Sequence, residues 1–335
     1  PFPPESAFCE ILYFAASSPS PLPIPPPSEL EGLVVVVEER VRVGELLRRV
    51  PRPLDEGARA ADEDGAALVP PEQVLDAAEL GVAQEGSREA IGIEPAEVGR
   101  GPRELGPALE WLPDLERLDG AELAETFRQR RLAKQGPDRS GVWRYRELIA
   151  PGLPLEAMVT RFEGNTGLYP VAGVARWAGL TSGELRLKHE GENPTASFKD
   201  RGMCVGISLA IAEGAKIVAC ASTGNTSASL ASYAALAGVP GVVFVPAGKI
   251  SSGKMAQTIA YGARVLEVEG SFDLAMQLVE EASARFGLGL LNSVNPWRIE
   301  GQKSIGLEIL DDLDWEAPDW IVLPSGNLGN VSALG

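Results

Sequence analysis

The chain has 335 residues, and its 47 acidic and 30 basic residues give a formal net charge of -17. This charge argues against nucleic acid and against an anionic membrane, because both need a positive protein surface, and no apolar run approaches the ~20 residues of a membrane span. With only three cysteines and one histidine, neither a structural zinc site nor a disulfide framework is expected, which predicts no metal and a cytoplasmic protein.

The first part of the chain is rich in proline, glycine and charge. Six prolines nearly alternate with other residues over 19–27, a composition that favours polyproline conformation over a packed core. Further on, charges and glycines interrupt every candidate periodicity, although short helices are considered at 43–50 and 71–80. We therefore predict that residues 1–112 are an extension that is disordered or a mispredicted translation.

Helices and strands alternate from Gly120 onward. An amphipathic helix begins at Gly120, and residues 184–188 alternate as a strand. The predicted elements that follow are a helix at 197–213, a strand at 216–221, a helix at 225–238, a strand at 241–245, a helix at 252–261, a strand at 264–268, a helix at 272–286, a strand at 288–291, a helix at 298–313 and a strand at 320–323. This alternation is typical of parallel sheets covered on both faces, so we predict a doubly wound α/β fold.

Three loops that follow predicted strands carry small, hydroxyl and amide side chains. They are 222–229, 292–298 and 325–332. Each offers backbone N–H groups at a predicted helix N-terminus, which suits a phosphate or a carboxylate, whereas any one of them alone is compatible with an ordinary turn and N-cap. Because ligands of such sheets bind at the carboxyl ends of strands, we predict at least two anionic groups there. No loop matches the Walker A or dinucleotide template.

A lysine at a predicted helix N-terminus is the candidate nucleophile. Lys199 lies in the run Asn-Pro-Thr-Ala-Ser-Phe-Lys-Asp-Arg-Gly, which begins at Asn193. The positive end of the helix dipole disfavours a cation and lowers its pKa, as an imine-forming lysine requires. On spacing alone, an ordinary solvent-facing lysine is the alternative. Lys254 is open to the same two interpretations, as an anion ligand or as a solvated side chain.

Residues 189–202 resemble the cofactor-lysine motif of the threonine synthase family, whose members are pyridoxal-phosphate-dependent enzymes of the tryptophan synthase β-like fold, fold type II. Further segments that resemble this family, in its order, are 140–145, 163–166, 222–226, 292–298 and 326–330. The resemblance implies doubly wound sheets in two domains. Residues 113–335 would be an incomplete catalytic region, with a smaller domain at about 194–283 inserted in the larger one.

The resemblance also implies a role for each candidate site residue. Lys199 would hold pyridoxal 5'-phosphate as an aldimine and then move protons at the substrate carbons. Asn225 would contact the cofactor ring oxygen. The residues that would cradle the cofactor phosphate are Gly326, Asn327, Leu328, Gly329 and Asn330. Those that would bind the substrate carboxylate are Ser222, Thr223 and Thr226. Those that would bind the substrate phosphate are Asn292, Ser293, Arg298 and Asn327.

The implied reaction converts O-phospho-L-homoserine and water to L-threonine and phosphate, a carbon–oxygen lyase step of threonine biosynthesis. Two alternatives stay open: a truncated remnant that at most binds the cofactor or a partner, and a lyase like the serine/threonine dehydratases. The family continues well past the position of Gly335, so the C-terminal part is expected to be missing, together with the ligand of the pyridine nitrogen. A homodimer is left open.

Overall fold

The computed structural model describes residues 118–178, 180, 183–248, 252–324 and 328–335, together with three earlier strands. The strands are β1 (Glu10–Phe14), β2 (Gly32–Val37), β3 (Val74–Asp76), β4 (Leu168–Pro170), β5 (Glu184–His189), β6 (Val218–Ala221), β7 (Gly241–Pro246), β8 (Arg264–Val268), β9 (Gly289–Leu290) and β10 (Trp320–Pro324). The helices are α1 (Gly120–Arg130), α2 (Arg146–Ile149), α3 (Ala172–Trp177), α4 (Lys199–Ala212), α5 (Asn225–Ala237), α6 (Ser252–Ala260), α7 (Phe272–Phe286), α8 (Pro296–Gln302), α9 (Ser304–Asp312) and α10 (Gly329–Leu334).

The strands form two five-stranded sheets. Their orders are β1-β10-β2-β5-β4 and β3-β8-β7-β6-β9. All described neighbours pair in parallel except β4 and β5. Parallel strands need crossover connections, and helices supply them between β6 and β9. The predicted α/β class is therefore confirmed. No helix in the described part of the chain is long and apolar enough to cross a bilayer.

The central strand β6 of the second sheet is buried on both faces. Val218 and Cys220 of β6 lie in a core shared with residues of α4 and α5. Ala219 and Ala221, which alternate with them, lie in a second core with residues of α7. Because successive side chains of a strand point to opposite faces, this alternation places helices on each side of the sheet, as the doubly wound prediction requires.

The three strands before residue 118 were not predicted. β2 is a run of four valines after Gly32-Leu33, and β-branched side chains favour strands, but the surrounding prolines and charges obscured this signal. β3 lies within 71–80, where the sequence suggests a short helix, so that expectation is wrong at Val74–Asp76. The rest of the extension, including 43–50, lies outside the described residues. The division into domains stays a prediction.

The helix predicted over 298–313 is two helices, α8 and α9, that meet at Lys303. It also begins earlier, because Asn295 caps α8 by accepting from the backbone N–H of Arg298 at 3.2 Å. The hydroxyl of Ser304 donates to the carbonyl of Gly301 at 2.7 Å. A serine that bonds back to the preceding turn bends a helix, which accounts for the break.

A largely buried cluster of charged side chains ties α4, β5 and α9 together. The guanidinium of Arg201 lies 2.7 Å from Glu190 and 2.7 Å from Glu308. The ammonium of Lys188 lies 2.9 Å from Glu308 and 3.3 Å from Asp312. Burial alone would raise the pKa of Glu308, but the charges of Arg201 and Lys188 outweigh it and lower the pKa to about 2. The carboxylate therefore stays ionised, and this cluster orients the first turns of α4.

Candidate active site

Lys199 begins α4 at the end of a strained loop. Ala196, three residues earlier, has a φ of 60°, a left-handed conformation that costs free energy for a residue with a Cβ. The ammonium nitrogen of Lys199 lies 3.7 Å from the ring centroid of Phe198, and the residue is half-buried. The tight loop thus places an amine at a helix N-terminus, as the sequence predicted.

A buried carboxylate next to this lysine holds the loop. Asp200 accepts from the backbone N–H of Thr195 at 2.6 Å and from the hydroxyl of Thr195 at 2.7 Å. It also accepts from the hydroxyl of Ser229, on α5, at 2.5 Å. The start of α4 is thereby fixed to the helix that follows the 222–226 loop. Sequence reasoning noted Asp200 but assigned it no role, because its partner on α5 is 29 residues away.

Replacing Asp200 with asparagine is expected to remove a pH dependence of stability. Burial raises the pKa of Asp200 from 3.8 to about 6, so the folded protein binds this proton more tightly than the unfolded chain does. The stability contribution of the group is full below the unfolded pKa and is lost as the pH rises through about 6. When the pH is lowered from about 7 to about 4, the free energy of unfolding of the wild type should rise by about 2–3 kcal/mol relative to that of Asp200→Asn.

Urea unfolding at both pH values measures this gain. The exposed Asp273→Asn is the matched control, because its carboxyl lies at the surface of α7. If the difference in free energy of unfolding between wild type and Asp200→Asn did not change with pH, the raised pKa of Asp200 would be contradicted.

The 222–226 loop connects β6 to α5. Its three candidate residues, Ser222, Thr223 and Thr226, are half-buried. The N-cap of α5 is Gly224, which has no side chain to accept from the first-turn N–H groups, and a Cβ added to Gly224 would have no neighbouring atom within 4 Å. N–H groups at a helix start that no side chain caps suit a carboxylate, and the dipole favours the same charge.

Asn292 fixes the start of this loop from a neighbouring segment. Its amide oxygen accepts from the backbone N–H of Ala221 at 3.0 Å, and its amide nitrogen donates to the carbonyl of Ala221 at 3.0 Å. Asn292 is buried, whereas Ser293 is exposed. The structure therefore brings two predicted loops together and uses the Asn292 amide to hold them. Its contact with a substrate phosphate stays a prediction.

Replacing Asn292 with alanine is expected to lower the free energy of unfolding by about 2–4 kcal/mol. The change leaves the N–H and C=O of Ala221 buried without their partner, and each unsatisfied group costs about 1–3 kcal/mol. Ser293→Ala is the matched control, since an exposed substitution changes stability by about 0.5 kcal/mol or less. Denaturant unfolding compares the two variants. Equal stabilities would show that Asn292 does not hold the loop.

Arg298 is buried with donors that have no acceptor. It is 0% exposed, and one terminal nitrogen donates to the carbonyl of Leu291 at 2.9 Å. Its Nε and its other terminal nitrogen have no hydrogen-bond acceptor among the described residues. Burial lowers the pKa of Arg298 to about 10. A buried guanidinium without a carboxylate is costly, so these nitrogens fit an anionic ligand such as a phosphate.

The third loop is described only in its last part. Gly326 and Asn327 lie outside the described residues. Leu328 is exposed with a φ of 57°, and Gly329 begins α10. A Cβ added to Gly329 would lie 3.6 Å from a side-chain oxygen of Gln302 on α8, so this loop ends beside the helix that carries Arg298. Asn330 is buried. The phosphate-cradling role of the loop stays a prediction.

Two further contacts bring the predicted segments together. The ammonium of Lys254 donates to the carbonyl of Thr195 at 3.3 Å, so this lysine contacts the loop before Lys199. Helices α4 and α8 pack backbone to backbone, because a Cβ added to Gly202 would lie 2.6 Å from the carbonyl oxygen of Arg298. The Lys199 loop, the 222–226 loop, Asn292 and Arg298 are therefore linked through direct contacts.

Part of the chain is similar to known proteins. Residues 159–335, just over half of the chain, match the family model described as "Pyridoxal-phosphate dependent enzyme". The threonine synthase of Methanocaldococcus jannaschii is 44% identical over 69% of this chain and 54% of its own length. That of Methanosarcina acetivorans is 53% identical over 58% of this chain and 46% of its own length. The chain thus spans about half the length of these curated relatives.

Solved structures give weaker likenesses. Maize serine racemase has a TM-score of 0.47 and 23% identity, over 53% of each chain. Cysteine synthase from Entamoeba histolytica has a TM-score of 0.46 and 24% identity, over 51% of this chain and 53% of its own. The family assignment rests on the sequence match. The chain belongs to the pyridoxal-phosphate dependent enzyme family.

Proposed function

We propose that the protein acts as a threonine synthase, converting O-phospho-L-homoserine and water to L-threonine and phosphate. The observation that carries this proposal is Arg298, whose buried guanidinium has two nitrogens without an acceptor among the described residues and fits a phosphate. The named relatives support it, since both are threonine synthases that share the cofactor family of this chain. The substrate is thus proposed to bind through its phosphate and its carboxylate.

Lys199 is the residue that carries the cofactor and moves protons. Its amine belongs to the first residue of α4 and lies 3.7 Å from the ring centroid of Phe198, in the place proposed for an imine-forming nucleophile. When bound, pyridoxal phosphate supplies an electron sink for charge at the substrate α carbon. Lys199 then takes and returns protons at the α and β carbons. Asp200 holds the lysine loop against α5 while it does so.

The remaining site residues bind anions or orient the ring. The start of α5 receives the substrate carboxylate through Ser222, Thr223 and Thr226. The substrate phosphate binds Asn292, Ser293, Arg298 and Asn327. The cofactor binds Asn225 and the loop Gly326, Asn327, Leu328, Gly329 and Asn330. Helix N-termini and one buried guanidinium thus provide positive potential in a chain whose net charge is -17.

The test is phosphate release from O-phospho-L-homoserine by the purified chain with pyridoxal phosphate. Release of phosphate with formation of threonine is the expected result. Formation of 2-oxoacids and ammonia from threonine or serine would instead indicate a dehydratase. Cofactor binding without either reaction would indicate a remnant and would contradict the proposed activity.

We further propose the cytoplasm as the compartment and a homodimer as the assembly. Cys204 and Cys220 are buried and form no disulfide among the described residues, which suits a chain that does not depend on disulfides. A two-fold dimer is the commonest symmetric assembly. Sedimentation of the purified chain tests the assembly, and a monomer would contradict it.

A further inference from the structure

We propose that the protein binds a small oxyanion in a second cavity, outside the Lys199 site. The cavity has a volume of about 310 Å³. Its lining consists of Arg131, Ala133, Arg139, Arg144, Asn165, Thr166, Glu308 and Asp312. No residue assigned to the cofactor, to the substrate carboxylate or to the substrate phosphate is among them. The proposal therefore goes beyond the proposed activity.

Arg144 lines this cavity, and one of its donors has no acceptor among the described residues. The residue is 2% exposed, and its Nε has no acceptor among the described residues. Arg144 forms an ion pair with Asp311 at 3.3 Å. An oxyanion held in the cavity would lie beside this buried positive charge and offset part of the cost of burying it.

Arg139 forms the rim and is held in place by two strained residues. Its guanidinium stacks on the ring of Phe162 at 4.2 Å. The side-chain amide of Asn165 donates to its carbonyl at 2.6 Å. Phe162 and Asn165 have φ values of 61° and 53°, and such conformations in residues other than glycine concentrate at ligand-binding sites. No described carboxylate lies within ion-pair distance of Arg139, so its charge is available to a ligand.

The acids of the cavity are already neutralised. Glu308 pairs with Arg201 and Lys188, at 2.7 Å and 2.9 Å. Asp312 pairs with Arg131 at 2.5 Å and with Lys188 at 3.3 Å. The charged residues that line the cavity, taken together with their ion-pair partners, comprise five cations and four carboxylates. The cations are Arg131, Arg139, Arg144, Lys188 and Arg201, and the carboxylates are Glu190, Glu308, Asp311 and Asp312. Among the residues that the structure describes, one positive charge is left over, which a small oxyanion balances and a cation does not.

The experiment is thermal unfolding of the full chain in inorganic phosphate, against sodium chloride at equal ionic strength. A ligand that binds the folded state raises the unfolding temperature as its concentration exceeds the dissociation constant. We expect Arg139→Gln to weaken phosphate binding by about 10- to 150-fold, since a charge-assisted hydrogen bond contributes about 1.5–3 kcal/mol and ~1.4 kcal/mol is tenfold. Arg128→Gln is the matched control, because it removes the same charge from an exposed position of α1, where Arg128 pairs with Glu125.

Two further arms complete the test. Arg144→Lys keeps the charge but loses the planar fork, so it should also weaken binding relative to wild type. Acetate replaces phosphate in a parallel series, and stabilisation by acetate alone would identify a carboxylate ligand. If phosphate raised the unfolding temperatures of Arg139→Gln and Arg128→Gln equally, the proposal would be overturned, because the anion would then bind elsewhere. The proposal would also be overturned if neither phosphate nor acetate raised the unfolding temperature of the wild type above its value in sodium chloride.

Discussion

Glu308→Ala is expected to lower the free energy of unfolding by about 3–5 kcal/mol, because it leaves two buried cations without their shared carboxylate. Arg201 and Lys188 are each 0% exposed and lie 2.7 Å and 2.9 Å from Glu308. Glu308 also accepts from the backbone N–H of Asn165 at 2.5 Å, so the same change loosens the segment beside the second cavity. Denaturant unfolding of the cofactor-free protein measures the effect.

Glu300→Ala provides the matched control for this prediction. Glu300 pairs with Lys303 across one turn, and both side chains are partly exposed. Partly exposed pairs of this kind contribute about 0–1 kcal/mol. If Glu308→Ala cost no more than Glu300→Ala, the charge cluster would not stabilise the fold, and its role in orienting α4 would have to be abandoned.

Lys199→Ala is expected to abolish phosphate release from O-phospho-L-homoserine, with a loss of about 10³-fold or more. The amine that would carry the cofactor and move the protons is absent in this variant. Because Lys199 is half-buried at the start of a helix, alanine should leave the cofactor-free fold intact. Assays at saturating pyridoxal phosphate measure the loss.

The control for this second prediction is another lysine. Lys216 is exposed and lies just before β6, at the opposite end of that strand from the 222–226 loop. Lys216→Ala should therefore retain full activity. A Lys199→Ala variant as active as Lys216→Ala would show that the chemistry does not depend on Lys199.

Much of the fold after Gly120 follows from local sequence signals. The strand at 264–268 and the helix at 272–286 are confirmed to the residue. The helix is capped by the hydroxyl of Ser271, and Gly287 follows it with a φ of 67°, so both ends carry signals that can be found in the sequence. The resemblance to the threonine synthase family is likewise confirmed by the relatives that match.

The contacts that assemble the site could not be predicted. Ser229 meets Asp200 across 29 residues, and Asn292 meets Ala221 across 71 residues. Pairs so far apart leave no periodic or turn signal in a single sequence. The shared burial of Lys188, Arg201 and Glu308 is hidden for the same reason, because charged residues are expected at the surface. The packing of α4, β5 and α9 brings these three residues together.

The most direct test of the account is the location of the covalent bond between protein and cofactor. The purified chain is incubated with pyridoxal phosphate and reduced with borohydride, and its peptides are analysed by mass spectrometry. The account predicts one phosphopyridoxyl group, on the peptide that contains Lys199, and none on Lys199→Ala. A modification on another lysine, such as Lys254, or no modification at all, would contradict the claim that Lys199 carries the cofactor.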